Sequence, residues 1–549
     1  MKKFSNNLIN GKNIKIGFIN FFSRNKNIIL PFVFILSYVL LYFLLDFSSQ
    51  SLIAHDEGLY ARRSRLVEES ENWFSSPFSQ PHHKTLGSYW LIALSIRLFG
   101  YSELVVRLPS ILSSFLCVII SYLIALKITN KKSALISVFS LSSMPLWIQY
   151  SRYASPDLPF VLCILLVIFC FLKFLDTSKY INKSIYLFSS GLFISTAFFI
   201  RSYMVFVPVF GLLPFFLFHL LRSKNSFKII FFTGLITGSI PSLINIYFSY
   251  KKFGTTAVSL LFDFAKDKAI GGIDFNNILL IPLNYLYLTF PVGLLFFLLV
   301  IFTKSDNKIN YPLLTYVYPL LSLLLLICMS TSYLHYFLFL LPPLSILFAE
   351  KIQSHSFINS LSKNIFSSIL IVFIIFISFS FLFSLFYYND FLIEHSYGKV
   401  VLVYLVPLFM VLSLILSIRY LFDTRYSSYN LIKFFYNIIA PQFISISLLY
   451  NFGIIGNPNY KLKSFLKDQD VSSIIYKNTI YLYNVDSKIN TLLRYYLPSS
   501  KVISSLKEIN RYNYIITSDK KSLSEFDLNY SFKSINDFDN HFLLMNIRK

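Results

Sequence analysis

Residues 55–90 read HDEGLYARRSRLVEESENWFSSPFSQPHHKTLGSYW. They carry a dense set of ionisable groups: His55, Asp56, Glu57, Arg62, Arg63, Arg65, Glu68, Glu69, His82, His83 and Lys84. On either side lie apolar runs, 28–47 and 104–126, each about as long as the ~20 residues a helix needs to cross a bilayer. A polar stretch held between two such runs is either an ordinary wet loop or a reaction site at a membrane face.

Working outward, the whole chain has the composition of a membrane protein. Its 549 residues are 55% hydrophobic, 19% aromatic and 14% charged, and the mean hydropathy is +0.61. A soluble chain would carry about 25% charged residues. The net charge of +23 fits basic cytoplasmic loops that orient the spans, and nucleic acid is not a partner. Cys117, Cys163, Cys170 and Cys328 sit in apolar runs without metal-ligand spacing, as core residues do.

The expected fold class is an α-helical polytopic membrane protein with a small C-terminal α/β domain. The basic tail before residue 28 marks the N-terminus as cytoplasmic, and the run 28–47 lacks a cleavage site, so it is an uncleaved first span. Further spans are expected at 104–126, 133–149, 157–175, 184–200, 203–221, 228–249, 279–302, 312–329, 333–349, 365–387, 399–420 and 433–453, about thirteen in all with the first. Lys and Arg gather in alternate loops, at Lys127, Lys131 and Lys132, at Lys173, Lys179 and Lys183, at Arg222 and Lys224, and onward to Arg419 and Arg425. Two long loops face outward. The first, 48–103, holds the opening stretch; the second, 250–278, contains Gly271-Gly272 and is read as a lid or a surface linker. Residues 1–456 are thus the transmembrane domain. From 457 the pattern changes: β-rich runs at Thr479–Val485 and Tyr512–Thr517 flank the helical pattern Lys488–Tyr496, which marks 457–549 as a soluble α/β domain on the outer face.

Chemistry is expected where polar residues meet the outer membrane face. Asp56 and Glu57 open an amphipathic helix of about 59–69; acids suit a helix N-terminus, but two of them beside a run of arginines at the bilayer edge also suit catalysis. Asp157, in Arg152-Tyr-Ala-Ser-Pro-Asp157, again reads as helix cap or site, with Arg152 and Lys84 as candidate partners. Lys84 and Arg201 lie on the face where cations are disfavoured, so an anionic lipid phosphate is the expected ligand; the alternative is a snorkelling side chain. A metal site from His55, His82 and His83 matches no standard spacing; His82 and His83 are weak candidates for a divalent ion, and the cofactor is otherwise unknown.

These motifs resemble a known family. Asp56-Glu57-Gly-Leu-Tyr60-Ala, a Lys-containing segment ending in Tyr89-Trp90-Leu, Arg107-Leu-Pro109, Arg152-Tyr-Ala-Ser-Pro-Asp157 and Tyr336-Phe-Leu-Phe-Leu-Leu-Pro342 are similar to the membrane glycosyltransferases of GT-C fold that use polyprenyl-phosphate sugars. These include the protein O-mannosyltransferases and the bacterial aminoarabinose transferases of lipid A. The resemblance implies an inverting transfer at the extracytoplasmic face of the plasma (inner) membrane, with the C-terminus on that side. Asp56, Asp157 and Glu57 are then the catalytic candidates, and Lys84, Arg201, Tyr60, Arg62, Arg152 and Tyr336 would bind substrate. The donor would be a polyprenyl-phosphate-linked sugar, and the acceptor an envelope lipid, glycan or protein. Three departures are plain: His82-His83-Lys84-Thr85-Leu86 replaces the usual Glu-Lys-Pro-Pro, Gly58-Leu59-Tyr60 lacks an arginine, and Arg201-Ser202 replaces Lys-Gly. The rival reading is a transporter or flippase of a lipid-linked sugar. Such proteins place charges at mid-membrane and often carry internal repeats, whereas here the charges line the rim and no repeat is found.

Overall fold

Among the described residues the first helix begins at the polar stretch. In the computed structural model the described residues are 50–54, 56–270, 275–305, 310–329, 333–357, 360–387, a few positions between 404 and 415, and 428–546 apart from 452, 455–456, 458, 506–512, 519–531 and 539–540. Residues 47–549 form one compact unit. Within it, α1 (Asp56–Glu68), α2 (Gly87–Phe99), α3 (Glu103–Ile128), α4 (Lys131–Ser143), α5 (Pro145–Tyr150), α6 (Asp157–Asp176) and α7 (Tyr180–Arg201) follow in order. Local chemistry sets several of these ends. Ser102 caps α3 by accepting from the Val105 amide, and Asn130 caps α4 by accepting from those of Lys132 and Ser133. Pro145 holds Met144 extended and so splits the expected span 133–149 in two.

After α7 a short 3₁₀ turn, Ser202–Val205, leads to α8 (Phe206–Leu220). The chain reverses there. Arg201 pairs with Asp157 at the start of α6, while Phe216 meets Phe171 near the end of α6, ring centroids 4.7 Å apart. α9 (Asn225–Phe253) returns alongside α7. Gly234 permits that packing, because a Cβ there would overlap the Phe188 carbonyl of α7. α10 (Thr255–Ile270), α11 (Phe275–Leu288), α12 (Val292–Phe302), α13 (Tyr318–Cys328), α14 (Leu341–Ser354), α15 (Ser360–Tyr387) and α16 (Ser428–Asn451) complete the bundle.

Six helices among the described residues are long and apolar enough to cross a membrane, and four more are apolar but shorter. The expected count of thirteen is therefore not reproduced span for span. The runs 28–47 and most of 399–420 lie outside the described residues. Hydropathy windows also ran through breaks that prolines and non-α segments impose: 279–302 is divided before Val292, 312–329 opens with a π segment, and 333–349 with a 3₁₀ segment, Leu334–Leu340. The expected outer loop 250–278 is largely helical, as the end of α9 and all of α10; Gly271-Gly272 lies outside the described residues.

The two ends of the bundle are chemically distinct. At one, Lys127 pairs with Asp176 at 2.6 Å, and the short strands β1 (Thr303–Ser305) and β2 (His355–Phe357) pair antiparallel. Asp157, at the other end of α6, lies about 30 Å away at 1.5 Å per residue. The loops that carry Lys127, Lys173 and Lys304 thus fall at one end.

The C-terminal part holds α17 (Tyr460–Lys467), α18 (Gln469–Lys477), β3 (Ile480–Leu482), α19 (Ser487–Tyr496), β4 (Lys501–Val502), β5 (Tyr514–Thr517), β6 (Phe532–Phe538) and β7 (His541–Asn546). Its strands order as β4-β3-β5-β7-β6, with β3 parallel to β4 and β5, and β7 antiparallel to β5 and β6. This sheet does not pack alone. Leu462, Phe465, Leu492 and Leu543 share one apolar cluster with Tyr60, Val67, Leu86 and Tyr89 of the first loop.

Candidate active site

Helix ends deliver the charged groups. Asp157 is the first residue of α6 and Arg201 the last of α7, so each opposes the charge of its own helix terminus. Asp157 is buried and Arg201 partly so, and they form an ion pair. The Arg201 guanidinium also sits 5.5 Å from the ring centre of Tyr336. The third charged group, Lys84, arrives on the loop before α2. Gly87 lets that loop close on the end of α7, since a Cβ there would overlap the Phe199 carbonyl. Thr85 then donates its amide to Ser202 Oγ at 3.0 Å and its hydroxyl to the Phe198 carbonyl at 3.2 Å. Lys84 Nζ donates to Tyr60 Oη at 3.2 Å. Burial lowers the Lys84 pKa, the neighbouring Tyr89 opposes that shift, and Arg201 and Arg63 add to the lowering.

These residues line a cavity of about 940 Å³. Lys84, Arg201, Asp157, Tyr60 and Tyr336 form its polar end; two cations face one carboxylate there. Its other wall includes Phe206, Phe210 and Leu213 of α8, which are 57%, 51% and 40% exposed on the bundle surface. The cavity thus runs from a buried charged end to an apolar flank. Tyr150 and His335, paired at 3.2 Å, and His83, whose ring stacks 4.2 Å from Phe264 of α10, also line it; sequence reasoning did not single out Tyr150, His335 or Phe264.

The expected residues divide into those the cavity gathers and those it does not. Lys84, Arg201, Asp157, Tyr60 and Tyr336 meet in it. Asp56 begins α1, and its side chain, like His55, lies outside the described residues. Glu57 is fully buried and turned from the cavity: Arg107 clasps it with Nε at 2.8 Å and Nη2 at 2.7 Å. It also accepts from the amides of Ile53 and Ala154, both at 2.9 Å. Arg107 was visible as a motif residue, and an arginine in the first turns of an apolar helix signals a buried acid partner. Arg152, expected beside Asp157, instead donates to the Ser447 carbonyl of α16 at 3.3 Å and lies over Tyr450. Arg62 faces the C-terminal part rather than the cavity; burial and Arg494 lower its pKa to about 10.

His82 is not set to hold a divalent ion. His82 Nε2 is engaged by Arg63 at 3.1 Å and Tyr89 Oη at 2.9 Å. Burial first, then Arg63, His83 and Lys84, keep the ring neutral by pushing its pKa down, and the same cations would repel a metal. Among the described residues no three His, Cys, Asp or Glu side chains gather as ligands.

The chain superposes on the crystal structure of ArnT from Cupriavidus metallidurans bound to undecaprenyl phosphate with a TM-score of 0.69. The match covers 94% of this chain and 98% of that one at 14% identity. The chain has the ArnT fold. Residues 83–247 match the family model for dolichyl-phosphate-mannose-protein mannosyltransferase. An undecaprenyl phosphate-alpha-4-amino-4-deoxy-L-arabinose arabinosyl transferase of Pseudomonas fluorescens is 35% identical over 99 residues, 18% of each chain. An uncharacterized protein of Aquifex aeolicus is 27% identical over 209 residues, 37% of this chain and 41% of its own length. The matched stretches span less than half of these two relatives. The resemblance read from the motifs to the GT-C polyprenyl-phosphate-sugar transferases is supported by both fold and family model.

Proposed function

We propose that this protein is a glycosyltransferase that moves a sugar from a polyprenyl-phosphate donor to an envelope acceptor. The observation that carries this reading is the cavity's polarity. A donor of this class joins a charged phosphate to a long hydrocarbon tail, and the cavity joins Lys84 and Arg201 to an apolar flank on α8. In this reading the tail lies against Phe206, Phe210 and Leu213 while the phosphate meets the two cations. Asp56 takes the proton from the acceptor hydroxyl as its oxygen attacks the anomeric carbon. The bond to phosphate breaks with inversion, and Lys84 and Arg201 stabilise the charge that grows on the leaving phosphate. Asp157 holds Arg201 in place, Tyr60 holds Lys84, and Tyr336 supports the guanidinium from its ring face. Glu57 positions the Asp56 segment rather than reacting. The site faces outward from the inner membrane, with the N-terminus in the cytoplasm and the C-terminal part on the site's side.

The test is transfer by purified protein in lipid from a labelled polyprenyl-phosphate sugar to envelope lipid, glycan and protein fractions. A glycosidic product is expected, and Asp56→Asn should abolish it while membrane insertion is unchanged. Donor crossing the bilayer with no product would instead establish the flippase reading.

A further inference from the structure

The described residues before Asp56, 50–54, have no regular secondary structure, yet the Ser51 carbonyl and both backbone polar groups of Leu52 and Ile53 are engaged. Ser51 gives its carbonyl to Arg107 Nη2 at 3.0 Å. Ile53 donates its amide to Glu57 and accepts at its carbonyl from the Gly58 amide, both at 2.9 Å. These ties come from the bundle and from α1. Leu52, between them, is held at both its amide and its carbonyl from the C-terminal part, with one local bond besides, from Ser51 Oγ to the same carbonyl at 3.3 Å. Its amide donates to Tyr496 Oη at 3.0 Å, and its carbonyl accepts from Asn459 Nδ2 at 3.1 Å.

Tyr496 is itself anchored. Its hydroxyl donates to Glu103 Oε1 at 3.1 Å, and Glu103 is ion-paired with Lys463 of α17. The same face carries a second tie, Arg65 Nη1 to the Tyr495 carbonyl at 2.9 Å. Two adjacent residues at the end of α19 therefore hold the chain before α1 and a side chain from its third turn. A C-terminal part that served only as a neighbour would have no need to bond the backbone four residues before a catalytic acid.

We propose that Tyr496 and Asn459 are positioning residues for the transfer, setting the backbone at Leu52 and through it the placement of Asp56. The inference rests on the assignment of Asp56 as the base. Small displacements of a reacting group are costly: about 1 Å can lower a rate roughly a hundredfold.

Tyr496→Phe tests this, because it removes the hydroxyl and keeps the ring in the shared apolar cluster. The expected result is a fall in kcat of about tenfold or more with donor KM unchanged. Hydrogen exchange at the Leu52 amide should quicken, and the melting temperature should stay near that of the parent. Asn459→Asp, which keeps an acceptor but loses the donor to the Leu52 carbonyl, should lower kcat in the same direction. Tyr514→Phe, at a tyrosine of β5 in the same C-terminal part, should change neither kcat nor exchange at Leu52. Parent kcat in Tyr496→Phe overturns the proposal, as does a loss of turnover that only follows the fraction of folded protein. A raised donor KM at parent kcat also overturns it. Failure of the assignment beneath it looks different, since Asp56→Asn would then transfer sugar at the parent rate.

Discussion

Two carboxylate–arginine pairs stand at the same end of the bundle, and they differ in what surrounds them. Glu57 and Arg107 close on each other with two hydrogen bonds, and the amides of Ile53 and Ala154 take the remaining capacity of the carboxylate. Asp157 and Arg201 are also paired, Asp157 buried and Arg201 partly so, but they line a cavity that contains Lys84 and Tyr336. A buried ion pair therefore does not mark a reaction site. Access to a space in which a ligand can rest is what makes the second pair the candidate.

The strongest way to break this contrast is to open the sealed pair. Glu57→Ala leaves Arg107 charged, buried and without its carboxylate, which typically costs about 3–5 kcal/mol. We expect a large fall in melting temperature in detergent and poor recovery of folded protein. An unchanged melting temperature with lost turnover would return Glu57 to the catalytic group.

The open end should respond in the opposite way. Lys84→Ala and Arg201→Gln should keep the parent melting temperature within a few degrees but lower kcat/KM for the donor. Charge-assisted hydrogen bonds are worth about 1.5–3 kcal/mol, which corresponds to roughly ten- to a hundredfold. The double variant should lose less than the product of the two single losses if both cations grip one phosphate. Strict additivity would place them on separate groups.

A smaller effect distinguishes the cations by pH. Burial lowers the Lys84 pKa, so its charge is lost on the alkaline side at a lower pH than that of an exposed lysine. Donor KM should rise with pH through that range. Lys84→Arg keeps its charge to far higher pH, and its KM profile should lose that alkaline rise. An identical profile in the variant would show that another group titrates.

The smallest effect is expected furthest from the cavity. Arg62→Ala should leave donor KM within about twofold of the parent, because Arg62 faces Arg494 rather than the cavity, and surface-type charges away from a ligand contribute little. A tenfold rise in donor KM would put Arg62 back among the donor-binding residues.

Much of this site is legible in the sequence because cost makes it so. Charges at a bilayer edge are expensive, so Lys84, Asp157 and Arg201 stand out from apolar surroundings, and three of the chain's outer turns could be brought together on that ground. What cannot be read is direction. Glu57 follows Asp56 immediately, but successive helical residues point about 100° apart, and only the fold reveals that Glu57 faces Arg107. Arg152 and Asp157 lie five apart across a proline turn, and nothing in their spacing says that Arg152 reaches α16. The broken spans were legible in part: Met144-Pro145 and Phe290-Pro291 carry a backbone signal that averaged hydropathy hides. The ties from Asn459 and Tyr496 to Leu52 cross some 400 residues of chain, and no local pattern announces them.

The seam between α7 and α9 has a bearing on how this site can vary. Gly234 meets the backbone of Phe188 so closely that even one methyl group would overlap a carbonyl oxygen. Side-chain volume at that seam is therefore not a dial that can be turned by degrees. Arg201 stands at the end of the same helix, so its perch is either kept as it is or lost in a single step. Variation in what the cavity admits must come from other walls, where α8 and the Leu334–Leu340 segment present side chains that can change one atom at a time.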